Sequence, residues 1–456
     1  MDDLAIVARA QPTGLVGSVV ETTGLLATVA DLAAPVGSVV QIGARRRTDR
    51  GGVEGEVVGF RGRLTMVSPL GSLAGVHRGQ PVRLVRTTRQ LSVGDALLGR
   101  VVNASGEPID GLPRPALPSR VSVDRAPHPA LDRPPIKDSL PTGVRAIDAM
   151  LTCGRGQRLG VFAGSGVGKS TLLGMMTRNT AADVVVIGLV GERGREVNEF
   201  LERDLGPEGR KKSVVVVATS DEPAPMRLRA ASTATAIAEH FRDQGRDVLL
   251  LVDSLTRTAL ASRELGLAAG EPPTTRGYPP STFALLPRLV ERAGRTSRGS
   301  ITAFYSVLVE GDDPDDPIAD CLRGLLDGHV WLSRKIAARG HYPAIDITQS
   351  ISRLMPEVTT PLQLAAAQTV RRLLAALNEN ADLISIGAYR RGADPTVDAA
   401  IELRTEIDAL LQQKTADKIT PEEVVATLTQ LANKAAGAAT RPRPANPAPT
   451  TTGQRT

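Results

Sequence analysis

The residues most suited to chemistry form one short run, AGSGVGKS, at 163 to 170, preceded by the apolar RLGVFA and followed by TLLGMM. That order is strand, loop, helix. Gly164, Gly166 and Gly168 permit a tight, partly left-handed backbone whose N–H groups converge on phosphate oxygens. The helix that opens near Lys169 adds its positive dipole end. Lys169 and Ser170 behind the glycines predict a nucleotide site, in which the ammonium reaches the β- and γ-phosphates and the hydroxyl ligates Mg²⁺. Gly164, Ser165, Gly166, Val167, Gly168, Lys169, Ser170 and Thr171 make up the expected nucleotide-binding run.

Hydrolysis asks for more than a grip. A magnesium nucleotide site needs an acid at the end of a neighbouring strand to hold the metal's water, and Asp253 closes the aliphatic DVLLLVD in that way. A base must also polarise the attacking water. Glu192, in LVGERGRE, ends the apolar stretch after the loop, where ligands collect in sheets of this kind. Spacing alone leaves an equal alternative: Glu192, Arg193, Arg195 and Glu196 also read as a self-paired helix start, worth ~0.3–0.5 kcal/mol per pair.

Those residues need a rigid frame. RLGVFA, DVVVIGLVG, SVVVVATS, DVLLLVD and SITAFYSVLV are solid apolar runs separated by polar helical segments. This is the pattern of a parallel sheet buried on both faces, and so of an α/β fold. Residues 15 to 95 are rich in Val and Gly, as in GEVVGFRGRLTMV, and read as short strands of a small barrel or sandwich. The Pro-rich DGLPRPALPSR and RAPHPALDRPP cannot continue a helix or a central strand, and read as a linker. From Pro361 the pattern is helical. Leu362, Val370, Leu373, Leu374 and Leu377 fall near one face, as do Val397, Ala400, Ile401, Ile407, Leu410 and Leu411. TPEE, beginning at Thr420, is a capping box that opens a last helix. The expected division is a β domain over 1–95, a linker over 96–140, a nucleotide domain over 141–356, a helical domain over 357–436 and a disordered tail over 437–456.

Bulk properties narrow the function. A chain of 456 residues exceeds a single core. Its formal charge of +6 includes Arg441, Arg443 and Arg455 in an acid-free tail, so the folded part is nearer neutral. Aromatics make up 2% of the chain, and Phe60 is the single aromatic in residues 1 to 100, which argues against a base-stacking nucleic-acid domain. Cys153 and Cys321 are far apart and outside any C-x-x-C pattern, so neither a disulfide framework nor a structural zinc site is expected. With no signal-peptide pattern and no apolar run near ~18 residues, the expectation is a cytosolic protein. The arginine triplet at 45 to 47 and the acidic DDPDDP at 312 to 317 read as solvated loops, the prolines breaking calcium-loop geometry. His240, His329 and His341 have no ligand spacing.

GERGREVNEF, LLLVDSLTR, GEPPTTRGYPPS and HYPAIDITQSISR, taken with the glycine loop, resemble the α/β subunit family of rotary ATPases. PAIDITQSIS at 343 to 352 is similar to that family's signature. TGVRAIDAMLTCGRGQRLGVFAGSGVGKSTLLGMM and LLDGHVWLSRKIAARGHYPAID resemble its flagellar branch, the ATPases of the type III protein export apparatus. The resemblance implies an N-terminal β-barrel, a central P-loop (RecA-like) parallel-sheet domain and a C-terminal α-helical domain. It further implies that Glu192 is the catalytic carboxylate, that Arg193 helps hold the terminal phosphate, and that Arg353 is inserted into a neighbouring subunit's site. By the same resemblance Tyr342 stacks on adenine and Tyr389 lines the same pocket. Lys169, Glu192, Asp253 and Arg353 on one chain imply a homo-oligomeric ring, six being the family's number. ATP and Mg²⁺ are the implied substrate and metal. The implied partners are a regulatory dimer, a coiled-coil stalk, export chaperones and a membrane export gate, with peripheral membrane association and no nucleic acid. An injectisome ATPase is the neighbouring alternative, and an RNA-translocating ring ATPase the remoter one.

Overall fold

Valines and leucines at alternating positions dictate the N-terminal strands, because a strand sends successive side chains to opposite faces. Val19, Val29, Val40, Ile42, Val57, Val67, Val82 and Leu84 are buried together on the inside. The computed structural model describes residues 14–44, 51–309 and 316–439. Its first six strands are β1 (Val16–Thr23), β2 (Leu26–Ala30), β3 (Val39–Ile42), β4 (Val53–Arg61), β5 (Leu64–Pro69) and β6 (Pro81–Arg86). They close into an antiparallel barrel in the order β1-β2-β5-β4-β3-β6, with β6 pairing back onto β1. Closure leaves no free sheet edge. The arginine triplet and residues 312–315 of the acidic run lie outside the described residues. Asp316, the run's last acid, accepts from the N–H groups of Ile318 and Ala319 and starts the helix Pro317–Leu325.

The stretch expected to be a linker is not all linker. β7 (Gln90–Val93) pairs with β9 (Ser119–Ser122) as a separate two-stranded ribbon, and β8 (Val101–Asn103) joins the central sheet parallel to a later strand. Prolines exclude a central strand over 113–118, but Val101–Asn103 precedes them and needs only three ladder residues. Asp110 fixes this edge: its carboxylate takes the Val101 N–H at 3.0 Å and a bidentate pair from Arg100 at 2.7 and 2.8 Å.

The central sheet comprises β10 (Arg158–Ala163), β11 (Val184–Glu192), β12 (Ser213–Thr219), β13 (Asp247–Asp253), β14 (Gly294–Arg295), β15 (Ser300–Leu308), β16 (Gly328–Leu332) and β17 (Ile351–Ser352), together with β8. The order is β17-β16-β10-β15-β13-β11-β12-β8, parallel from β16 to β8, with β17 antiparallel at one edge and β14 off the main path beside β15. All nine residues of β11 are buried, which requires cover on both faces. Adjacent residues divide accordingly. Val185 and Ile187 pack with Leu172, Val370, Leu410 and Leu428, whereas Val186 packs with Ile237, Phe241, Leu250 and Leu286. The helices after Pro361 therefore extend the same core as one face of the sheet.

Those helices are Pro361–Glu379, Pro395–Glu402, Arg404–Leu411 and Pro421–Ala439, with a short turn of helix at Ala381–Ser385. The capping box forms as expected: Thr420 N donates to Glu423 Oε2 at 2.9 Å and Glu423 N to Thr420 Oγ1 at 3.3 Å. Leu362 departs from its expected face and is 63% exposed. The buried stripe is Gln363, Ala366, Ala367, Val370 and Leu373, and Leu362 lies about a quarter turn off its centre. The last helix also takes in Gly437 to Ala439, where the expected disordered tail was to begin, and the rest of that tail lies outside the described residues. Among the described residues no helix is long and apolar enough to cross a membrane.

Candidate active site

The glycine loop joins the end of β10 to the helix Lys169–Asn179. Gly166 (φ 79°) and Gly168 (φ 92°) occupy the left-handed region, where a side chain would be strained. Gly164 has ordinary φ, and its requirement is space: a Cβ there would stand 2.7 Å from Nε of Arg334. Ser165, Gly166 and Ser170 are exposed at the mouth of the loop, while Val167 is buried beneath it. A ring of backbone N–H groups, a helix N-terminus and a lysine thus face one open space.

Sheet register brings the carboxylates to the same end. β11 and β13 are neighbours with Leu189 opposite Asp253, so both Asp253 and Glu192 close their strands beside the loop. A register shift between Val190 and Glu192, with Gly191 left-handed at φ 70°, turns Glu192 toward it. Lys169 Nζ donates to Asp253 Oδ1 and lies 3.7 Å from Glu192 Oε1. Ser306, on β15 between them, donates its hydroxyl to Asp253 Oδ1 at 2.6 Å. Burial, the charge of Asp253 and a hydrogen bond with Glu196 together push the Glu192 carboxyl up to about 7, against the opposing pull of Lys169 and Arg257. A carboxyl poised there changes protonation near neutral pH, the property a general base needs.

Other residues picked out in the sequence are distributed more widely. Tyr342 is 49% exposed, and its ring lies 3.5 Å from where a Cβ of Gly168 would be. It lines a cavity of about 750 Å³ with Gly168, Thr171, Met175, Pro343 and Gln413. Tyr389 is not part of this cavity, contrary to expectation. Its hydroxyl is engaged by Asp394 O at 3.0 Å and Asp398 Oδ1 at 3.1 Å, which ties it to the start of the helix Pro395–Glu402. The Arg193 side chain is 79% exposed, with Glu196 3.9 Å away, and is directed to solvent rather than held at the loop. Arg353 follows β17 at the opposite end of the sheet. Its N–H donates to Asp327 O at 2.9 Å, and the N–H of Asp327 donates to Arg158 O, at the start of β10. The five steps of β10 from Arg158 to Ala163 then separate Arg353 from the glycine loop by about 17 Å of strand.

Residues 143–352 match the family described as "ATP synthase alpha/beta family, nucleotide-binding domain", and residues 359–430 match "T3SS EscN ATPase C-terminal domain". The flagellum-specific ATP synthase of Bacillus subtilis is 49% identical over 91% of this chain and 94% of its own. The chain belongs to the ATP synthase alpha/beta family. Another relative, the SPI-2 type 3 secretion system ATPase of Salmonella typhimurium, is 50% identical over 82% of this chain and 87% of its own. Among solved structures, the assembled ATPase EscN of enteropathogenic E. coli, in complex with its central stalk EscO, has a TM-score of 0.84 at 43% identity and covers 91% of this chain and 100% of its own.

Three residues of this family member's site were not picked out in the sequence. Arg257, in the first turn of the helix Leu255–Ala269, lies 3.2 Å from Glu192 Oε2 and donates to Gly191 O. Its signal was its place four residues after Asp253, one helical turn on. Arg334 rests against Gly164, and among the described residues no carboxylate pairs with it. Ser306 could be placed only once β15 was known to run between β10 and β13. Among the described residues no group of three or more His, Cys, Asp or Glu side chains could cage a metal. Ser170 and Asp253 instead offer the sparse oxygen set that suits Mg²⁺, which commonly takes one or two protein ligands and completes its shell with phosphates and water.

Proposed function

We propose that this chain is a Mg²⁺-dependent ATPase of type III protein export, working as a homohexameric ring in export of flagellar proteins. The observation that carries this reading is the convergence of Lys169, Glu192 and Asp253 at one end of the sheet while Arg353 stands at the other. In it, the loop from Gly164 to Thr171 holds the phosphates, Lys169 shifts from Asp253 to the β- and γ-oxygens, and Tyr342 stacks on adenine. Ser170, with Asp253 behind it, would hold Mg²⁺, which supplies neutralising charge between the phosphates. Glu192 accepts a hydrogen bond from water and takes its proton as the water oxygen attacks the γ-phosphorus and the bond to the ADP oxygen breaks, releasing ADP and phosphate. Arg257, beside Glu192, keeps that carboxylate oriented, and Arg193 is free to swing from solvent toward the γ-phosphate. Arg353 of the adjacent copy completes the charge around the transferred group.

The partners follow the same reading: a coiled-coil stalk in the pore, as the stalk EscO accompanies EscN, with a regulatory dimer, export chaperones and an export gate around the ring. The ring sits at the inner face of the cell membrane without spanning it. The test is phosphate release from Mg-ATP by the purified chain, with and without RNA. Release that needs Mg²⁺ and ignores RNA is expected; release that depends on RNA would point to a nucleic-acid translocase instead. The similar identity to the SPI-2 ATPase favours injectisome export as the second reading. Restoration of flagellar secretion, and not of effector secretion, in cells lacking their own ATPase would decide for the first.

A further inference from the structure

The base cavity has a wall that the glycine loop does not supply. One side is Tyr342 and Pro343, the floor is the helix Lys169–Asn179, and the other side is Ala409, near the end of the helix Arg404–Leu411, with the segment from Gln412 to Asp417 that follows it. Gln413 joins them. Its backbone N–H donates to Tyr342 O at 3.0 Å. Gln413 is 6% exposed, and both its amide hydrogens are used, one toward Gly143 O at 3.0 Å and one toward Asp417 O at 3.2 Å. Its Oε1 accepts the N–H of Arg145 at 2.8 Å. Nearby, Arg145 Nη1 donates to Ala409 O at 2.6 Å and Gln412 O at 3.2 Å, a second stitch between the same segments. A buried amide with every hydrogen committed cannot donate to a base, so its effect must pass through the groups it holds.

We infer that Gln413 is a positioning residue for nucleotide base binding: its side chain ties the 412–417 wall to Gly143 and Arg145, and so holds that wall, whose main chain meets Tyr342, at the spacing a purine ring needs. The inference rests on the proposal that this cavity takes the adenine of ATP. It has a directional consequence. The phosphates are gripped by elements of the sheet domain alone, whereas the base is gripped only while the C-terminal helices stay seated, so base affinity reports on their position.

The test separates base from phosphate. Gln413→Leu removes all three side-chain hydrogen bonds, and Gln413→Glu keeps the acceptor for Arg145 while losing both donors. With Mg-ATP as substrate, both variants are expected to raise KM about tenfold, the effect of stranding the buried Gly143 carbonyl, with kcat within about twofold of the parent. Competitive inhibition by inorganic pyrophosphate, which occupies the glycine loop without a base, is expected to stay at the parental value. An unchanged KM for ATP would overturn the inference. So would a parallel loss of pyrophosphate affinity or a collapse of kcat, since either marks Gln413 as general structural support. If the parent chain itself bound ATP no better than inorganic tripolyphosphate, the base-site reading would fail first.

Discussion

At the C-terminal ends of β10, β11 and β13, charge is concentrated, buried and internally paired: Lys169 with Asp253, Arg257 with Glu192. At the other end, past β17, Arg353 is exposed, with backbone partners at Asp327 and Arg323 and no carboxylate pairing with it among the described residues. In the proposed mechanism one end is the site and the other supplies its reagent. An exposed guanidinium held by main-chain contacts has no carboxylate among the described residues to offset it when a group arrives from outside, while Lys169 and Arg257 at the other end are already paired with carboxylates. The parallel sheet keeps the two ends apart, and in the proposed ring a second copy would bring them together.

The largest expected effect comes from emptying the reagent end. Arg353→Ala should lower kcat by ~10³–10⁵ with ATP affinity kept. Mixing it with Glu192→Gln should restore part of the activity, because some interfaces in a mixed ring hold both intact groups. No recovery in rings shown to be mixed would break the comparison. At the site end, Glu192→Gln should cost roughly 10²–10⁴ in turnover and leave nucleotide binding intact; lost binding would mean Glu192 holds the nucleotide instead of activating water.

A smaller effect concerns pH. As the proposed base, Glu192 would act only when ionised, and burial with the Asp253 charge pushes its carboxyl up to about 7. Rate should therefore fall as pH drops through that region, and Mg²⁺, by offsetting Asp253, should draw the midpoint lower. Stability has the opposite sign. A folded-state pKa above the unfolded value contributes stability below ~4.5 that is lost as pH rises through about 7. Glu192→Gln should accordingly melt above the parent at pH 8 and alike at pH 4 in ligand-free protein; equal melting at both would contradict the buried charge. Smallest of all, Thr420→Ala should cost about 1 kcal/mol through its lost cap, read by thermal melting, with KM unchanged.

What could be read in advance divides along the same physical line. Uninterrupted aliphatic runs announced β10, β11, β12, β13 and β15, and their last residues, Asp253 and Glu192, were placed with them. Lys169 and Ser170 came with a loop whose glycines are used in different ways, two for left-handed backbone and one for the close approach of Arg334. β8 escaped because three ladder residues make no periodic signal beside a Pro-rich stretch. Tyr389 was placed in the base cavity by likeness, yet its hydroxyl belongs to a helix start. Arg257 had a local signal, one helical turn after Asp253, whereas Ser306 and Gln413 are placed by contacts across the fold that local sequence does not encode.

The most direct test of a site divided between copies is specific ATPase activity measured against protein concentration, with particle size followed in the same samples. Activity per chain should rise steeply as single chains give way to rings, and then level off. Full activity per chain in samples holding only single copies would contradict the account.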